Sequence, residues 1–266
     1  MAVNHEDFGI WISLFHSSFQ AEGSNKITRH FRHVGELPQG GAKKDYPLQL
    51  IKKYSYLLSP NLFINGKNNR IKQVINGLKL NQTTKTPLST IIRSIYDYSL
   101  SKLTYGKPID GLYSYNQALT DKTTDCGGFS TLMASLLQSI NIPSRLVVGF
   151  VIRPSFLKLL LVQMGIVKFN YRSLYMHTWL EVLLPDKTWF PLDASIEWQR
   201  NKGLISQEGG FGNIPADRLV VSYGQDFVIK INNKKYKIDL LQKPINLLSS
   251  RAKRGILRLS TLDSSP

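Results

Sequence analysis

Phe129, Leu132, Met133, Leu136, Leu137 and Ile140 recur at the i, i+3, i+4, i+7 spacing of one helical face. Asp125 stands immediately before this run as an N-cap, and Asn141-Ile142-Pro143 stops it. Upstream, Ile71, Val74, Ile75 and Leu78 predict a shorter amphipathic helix. Pro87 opens another, whose apolar stripe is Leu88, Ile91, Ile92, Ile95, Tyr96 and Leu103 and which Tyr105-Gly106-Lys107-Pro108 ends. The aromatic stretch from Tyr54 to Leu58 reads as a short strand or extended lead-in. Arg145 to Ile152 is a β-branched, apolar run and so a buried strand. Tyr175 to Leu184 alternates as a strand, Pro185-Asp186-Lys187 turns, and Thr188 to Asp193 returns. Leu219 to Tyr223 and Phe227 to Leu240 add further strands, the second a hairpin around Asn232-Asn233. Helices followed by strands predict an α+β fold with a long helix packed on an antiparallel sheet.

The same pattern sets the domain limits. Residues 1–45 show no sustained period and read as an N-terminal arm. Residues 46–242 hold the periodic elements of one domain, and residues 243–266 form a basic C-terminal tail. Between the strands that end at Ile152 and begin at Tyr175 lies an apolar insertion, Arg153 to Ser173. A segment of this length inside a compact domain suggests a cover over the site. Its apolar stretch, Phe156 to Val167, is interrupted by Lys158 and Gln163 and is too short to span a bilayer. The first residues carry Glu6 and Asp7 in place of a basic start, so no signal peptide is read and a cytoplasmic location is the expectation.

The net charge is +16, but the segment from 111 to 200 carries eight basic and six acidic side chains, so the excess sits in the flanks. Without aromatic interleaving or a recognised motif, solvated lysines explain it better than a specific nucleic-acid site. One cysteine in the chain excludes an intrachain disulfide framework, and no cysteine cluster offers a zinc site. His30 and His33 are three apart, yet no further ligand cluster accompanies them. No metal or organic cofactor is called for.

The lone cysteine is the chemically suggestive residue. Cys126 follows the predicted N-cap, where unsatisfied N–H groups and the helix dipole favour an anion such as a thiolate. Gly127 and Gly128 leave open space where simple packing would use alanine. A nucleophile needs a base and something to orient that base. His177 and Asp193 lie on the two arms of the predicted hairpin. A two-residue loop there would put them on opposite faces. A three-residue loop, Pro185-Asp186-Lys187, pairs Leu184 with Thr188 and sets Asp193 opposite Trp179. That is one diagonal step from His177, roughly 7–8 Å between Cβ atoms. Taken singly, Cys126 is a small apolar residue, His177 a satisfied core histidine and Asp193 a turn former; together they are better explained as a nucleophile, base and orienter.

Asp-Cys-Gly-Gly-Phe-Ser with its helix and Ile142-Pro143-Ser144-Arg145, His177-Thr178-Trp179-Leu180-Glu181-Val182, and Trp189-Phe190-Pro191-Leu192-Asp193 form three ordered boxes. They resemble those of transglutaminase-like proteins, as does the stretch Ile214 to Asp226, and the resemblance covers roughly residues 50–230. Asn141 stands where the family's usual glycine precedes Ile-Pro. The resemblance implies a papain-like core with Cys126 as nucleophile, His177 as base and Asp193 as orienter, acting on a peptide or protein substrate. It leaves open hydrolysis of a peptide or amide bond, transfer to an amine as in a transglutaminase, and peptide binding without catalysis. The Cys126 N–H is expected to be one oxyanion donor, with Gln117 a candidate for the second. Hydrolysis is favoured because only Glu181, Asp186 and Glu197 accompany the boxes, with no acidic cluster to hold a lysine ammonium. Oligomeric state is not legible.

Overall fold

The computed structural model describes residues 46–80, 86–152, 174–215, 217–231 and 234–240. The arm, the tail beyond 240, the Arg153–Ser173 insertion and His30 and His33 lie outside the described residues. Helices α1 (Leu48–Lys53), α2 (Asn69–Gly77) and α3 (Leu88–Lys102) precede the two-residue strand β1 (Thr104–Tyr105). Helix α4 (Tyr115–Asp121) and β2 (Thr123–Thr124) lead into α5 (Cys126–Ser139). Strands β3 (Ser144–Ile152), β4 (Leu174–Leu183) and β5 (Trp189–Leu192) follow, then α6 (Ala194–Asn201) and β6 (Arg218–Tyr223). Strands β7 (Phe227–Ile231) and β8 (Lys234–Ile238) pair antiparallel, and the Asn232-Asn233 turn expected between them lies outside the described residues. The central sheet has the order β5-β4-β3-β6 with every pair antiparallel, and α5 packs on β3 and β4. The fold is α+β, a helix on an antiparallel sheet.

Helix α5 departs from its amphipathic reading, because every residue from Gly127 to Gln138 is buried. Burial of its polar positions is tolerated because each finds a partner. Thr131 Oγ1 donates to Tyr113 O at 3.0 Å, and Ser135 Oγ accepts from Asn65 N at 3.1 Å. Gln138 Oε1 accepts from Gly66 N at 2.6 Å, while its Nε2 donates to Leu57 O and Ser59 O. Leu57 belongs to the Tyr54–Leu58 region, which forms a 3-10 helix over Ser55–Leu58 and not a strand, and Ser59 is that helix's C-cap. On the other sides Leu132, Leu136 and Leu137 are fully buried, each contributing about 2 kcal/mol. The helix is thus a hub, surrounded by the sheet, α2, α3, α4 and α6.

Two local features set the frame of the site. Asn141 sits at φ 61°, the left-handed position after a helix end that asparagine tolerates, which explains why it can stand where glycine is usual. Between β4 and β5, Leu184 N donates to Thr188 O at 2.8 Å and Lys187 N to Leu184 O at 2.9 Å. Lys187 takes φ 71°, so the connection is the three-residue loop that the site required. The ladder runs Leu183↔Trp189 to Leu180↔Leu192, and the next pair in register would be Trp179 and Asp193.

Candidate active site

Asp125 begins the site by capping α5. Its Oδ1 accepts from Gly127 N at 2.9 Å and Gly128 N at 3.3 Å, which leaves Cys126, the first residue of the helix, with the N–H that the cap does not claim. The two glycines have a different role from the open space read in the sequence. A Cβ on Gly128 would fall 1.8 Å from Thr124 Oγ1, and one on Gly127 2.7 Å from Leu112 Cδ1. They permit close packing of the β2 end and the preceding loop against the first turn.

Strand β5 ends at Leu192 because Asp193 turns the chain into α6, accepting from Ile196 N at 3.2 Å as its N-cap. Beyond that point the β4 backbone at Thr178 faces the first turn of α5. Ser130 Oγ bridges Cys126 O at 2.9 Å and Thr178 O at 3.4 Å. His177 is therefore one residue from the strand position that Ser130 ties to Cys126. Its Nε2 lies 2.8 Å from Asp193 Oδ2, and both side chains are buried. The Trp179 ring stacks on the imidazole, with centroids 5.9 Å apart and planes at 23°. The structure thus joins His177 to Asp193 directly, and through Ser130 it ties the neighbouring strand residue, Thr178, to the turn that carries Cys126.

Asp193 is held from all sides. Oδ1 accepts from Ser195 Oγ at 3.1 Å, and Oδ2 accepts from Arg218 as well as His177. Burial alone would raise its pKa, but the charge and hydrogen bond of His177, with Arg218 behind, bring it down to about 2. The cysteine is shifted in the opposite sense. Although Cys126 as a residue is half-buried, desolvation pushes its thiol up, and the Asp125 charge adds to this. Backbone bonds from Thr178 and Gly127 counter only in part. Desolvation first, and the Asp125 charge second, thus oppose the thiolate that the helix N-terminus favours.

Gln117 is not placed to donate to an oxyanion. It is exposed, and its Oε1 accepts from Ser114 N and Oγ in a capping box that starts α4. Sequence reasoning missed Arg218, whose only signal is a basic residue opening an apolar strand at a position that shares a face with Val220. Among the described residues no group of three or more His, Cys, Asp or Glu side chains could hold a metal ion. No helix among them is long and apolar enough to cross a membrane.

A cysteine at a helix start beside a buried histidine–carboxylate pair on an antiparallel sheet defines a papain-like arrangement. Residues 74–194 match the sequence model of the transglutaminase-like superfamily. The match encloses Cys126, His177 and Asp193 and ends before Arg218. Among solved structures, one described as "a Putative Cysteine Protease from Cytophaga hutchinsonii" is 14% identical with a TM-score of 0.41, covering 65% of this chain and 47% of that one. The periplasmic domain of TgpA from Pseudomonas aeruginosa, bound to ethylmercury, is 16% identical with a TM-score of 0.40, covering 57% and 51%. The chain spans about half the length of these solved chains. No curated protein matches it.

Proposed function

We propose that the protein is a cysteine-dependent acyl-transfer enzyme that hydrolyses a peptide or amide bond through a thioester. The observation that carries this reading is the 2.8 Å contact between His177 Nε2 and Asp193 Oδ2, buried beside the first turn of the Cys126 helix. Because Asp193 occupies Nε2, Nδ1 is the nitrogen that serves the thiol. Burial shifts the Cys126 thiol upward, and in this reading His177 takes the Sγ proton as sulfur attacks the carbonyl carbon. The oxyanion accepts from the Cys126 N–H, a donor worth about 3 kcal/mol. The C–N bond then breaks, and His177 returns its proton to the departing amine. Water, deprotonated by His177, attacks the thioester; the C–S bond breaks, His177 returns the proton to Sγ, and the acid leaves as its carboxylate after losing its proton to solvent.

Water as the acceptor is supported by the state of the neighbouring acids. Glu181 accepts from Arg145 Nε and an Arg145 terminal nitrogen at 2.8 and 2.7 Å. Asp186 caps its own turn through Thr188, and Glu197 accepts from Tyr96 OH at 2.6 Å. All three carboxylates near the boxes are already engaged. An amine must compete with water at roughly 55 M, which takes an acceptor site that positions it.

Acid-quenched intact-mass spectrometry on a peptide library tests the reading. A Cys126 acyl adduct is expected, absent in Cys126→Ala, and free carboxylate should dominate the products even with millimolar primary amine. Predominant amide product would reassign the chain to a transglutaminase and leave the nucleophile standing. Absence of both adduct and turnover would leave a peptide-binding module on the same fold.

A further inference from the structure

Arg218 has one of the largest fully buried side chains among the described residues, and its guanidinium ends at the candidate site. Its NH2 donates to Asp193 Oδ2 at 3.2 Å and to Glu208 O at 3.2 Å. Its NH1 donates to Asp217 Oδ1, and its Nε is buried without a partner. The surrounding backbone is shaped to admit it: Gly209 has φ +128°, and a Cβ there would sit 3.0 Å from NH2. A guanidinium taken out of water with one N–H unmatched is costly. That cost calls for a role beyond packing.

We propose that Arg218 is a positioning residue: it shares Asp193 Oδ2 with His177 and so sets how tightly that carboxylate holds the imidazole, with Asp217 as its counter-charge. This rests on the catalytic reading of the site for its purpose, but not for its geometry. Two consequences follow from the arrangement. First, Oδ2 has donors from His177 and Arg218 while Oδ1 has donors from Ser195 and Ile196, so the carboxylate cannot rotate without losing all four bonds. Second, the positive guanidinium competes with a protonated His177 for one oxygen. Arg218 therefore disfavours the imidazolium, and Asp217, whose side chain is 29% exposed, moderates that effect by drawing the guanidinium's charge toward itself. With His177 protonated the four groups sum to zero; with His177 neutral they carry one negative charge.

Other charged or titratable groups described around the pair are Cys126 and Asp125 on α5 and its cap, Tyr96 on α3 and Glu197 on α6. Tyr96 and Glu197 bond each other. None of the four contacts Asp193 Oδ2, so Arg218 and Asp217 are the levers on that oxygen.

The test reads the His177 imidazole directly, by NMR titration of its ring protons in the full chain. Arg218→Met should raise the His177 midpoint by about one pH unit, and Asp217→Asn should lower it by a smaller amount. Opposite shifts are the signature of this charge chain, since a purely structural role predicts none of fixed sign. Midpoints that stay put, or move together in folded variants, would overturn the proposal. If Arg218→Met does not fold, Asp217→Asn at the partly exposed position decides alone: an unmoved or raised midpoint rejects it. Turnover measured on the unsubstituted chain separates the two readings. Opposite shifts in a protein without activity would sustain Arg218 and sink the enzyme, whereas activity with unmoved midpoints would do the reverse.

Discussion

At the scale of single residues, Asp193 carries the most connections in the site and gives it a pH signature. Its pKa falls from the ordinary carboxylate value to about 2 in the folded chain. A depressed carboxylate contributes stability that is present above the unfolded value of about 3.9 and is lost as pH falls through the folded one. The shift corresponds to about 2 kcal/mol, removed between roughly pH 4 and pH 2. Asp193→Asn keeps an N-cap acceptor but cannot ionise. Its chemical-denaturation stability should therefore fall less steeply than the parent's across that window, while its turnover drops through misorientation of His177. Parallel stability curves for the two proteins would mean that the carboxylate is not held as described. The residues of this site were legible for a reason: Cys126, His177 and Asp193 each had an element boundary or register that constrained them. Arg218 did not, because its partner Asp193 lies across two strands that only tertiary structure brings together. For the thiol, the sequence shows the helix dipole but not how thoroughly α5 is desolvated, which pushes Cys126 the other way.

Among the elements, those with long periodic stripes, α2, α3 and the strands β3 to β6, follow the pattern of the chain. The register of β4 and β5 was decidable because slipping by one residue would have turned His177 or Asp193 to the wrong face. Short helices α4 and α6 were missed: with only 7 and 8 residues, they owe their existence to the caps Ser114 and Asp193 more than to any stripe. Helix α5 looked one-sided because its buried serines, threonine and glutamine are polar, and their partners come from loops remote in sequence. Close backbone approach was equally hidden, and it supplies a test at this scale. On Gly149, which pairs with His177, a Cβ would lie 1.9 Å from Leu219 O and 3.1 Å from Val220 Cα. Those are backbone atoms at the β3–β6 bulge and cannot yield without moving the strand that carries Arg218. Gly77, by contrast, ends α2 with nothing within 4 Å of an added methyl. Gly149→Ala should cost about 3 kcal/mol and reduce turnover, whereas Gly77→Ala should be neutral or add about 0.5 kcal/mol. Thermal melts of the pair check this. Equal tolerance at both sites would show that β6 does not press on β3.

For the molecule as a whole, the question is where the folding unit begins and ends. The arm and tail lie outside the described residues, and the expected division at 45/46 and 242/243 can be argued from what the first described residues hold. Tyr46 is buried and donates its hydroxyl to Leu183 O at 2.6 Å, joining the start of the domain to the far end of β4. Leu50 is buried in the same core. Leu57 and Ser59 supply both acceptors of Gln138 Nε2 near the end of α5. A chain cut to residues 46–242 keeps all of these and loses no described core contact. Cutting further, to 59–242, removes Tyr46 and Leu50, whose burial contributes about 4 kcal/mol together. It also leaves Gln138 short of an acceptor, at a further cost of about 1 kcal/mol. At roughly 2–4 °C per kcal/mol for a chain of this size, the shorter piece should melt at least 10 °C below the full protein. The 46–242 chain should melt within a few degrees of it and keep its turnover. Calorimetry on the three proteins is the check. A large loss on removing residues 1–45 alone would place part of the arm in the folded core, and the basic flanks could then no longer be treated as accessory to the 46–242 domain.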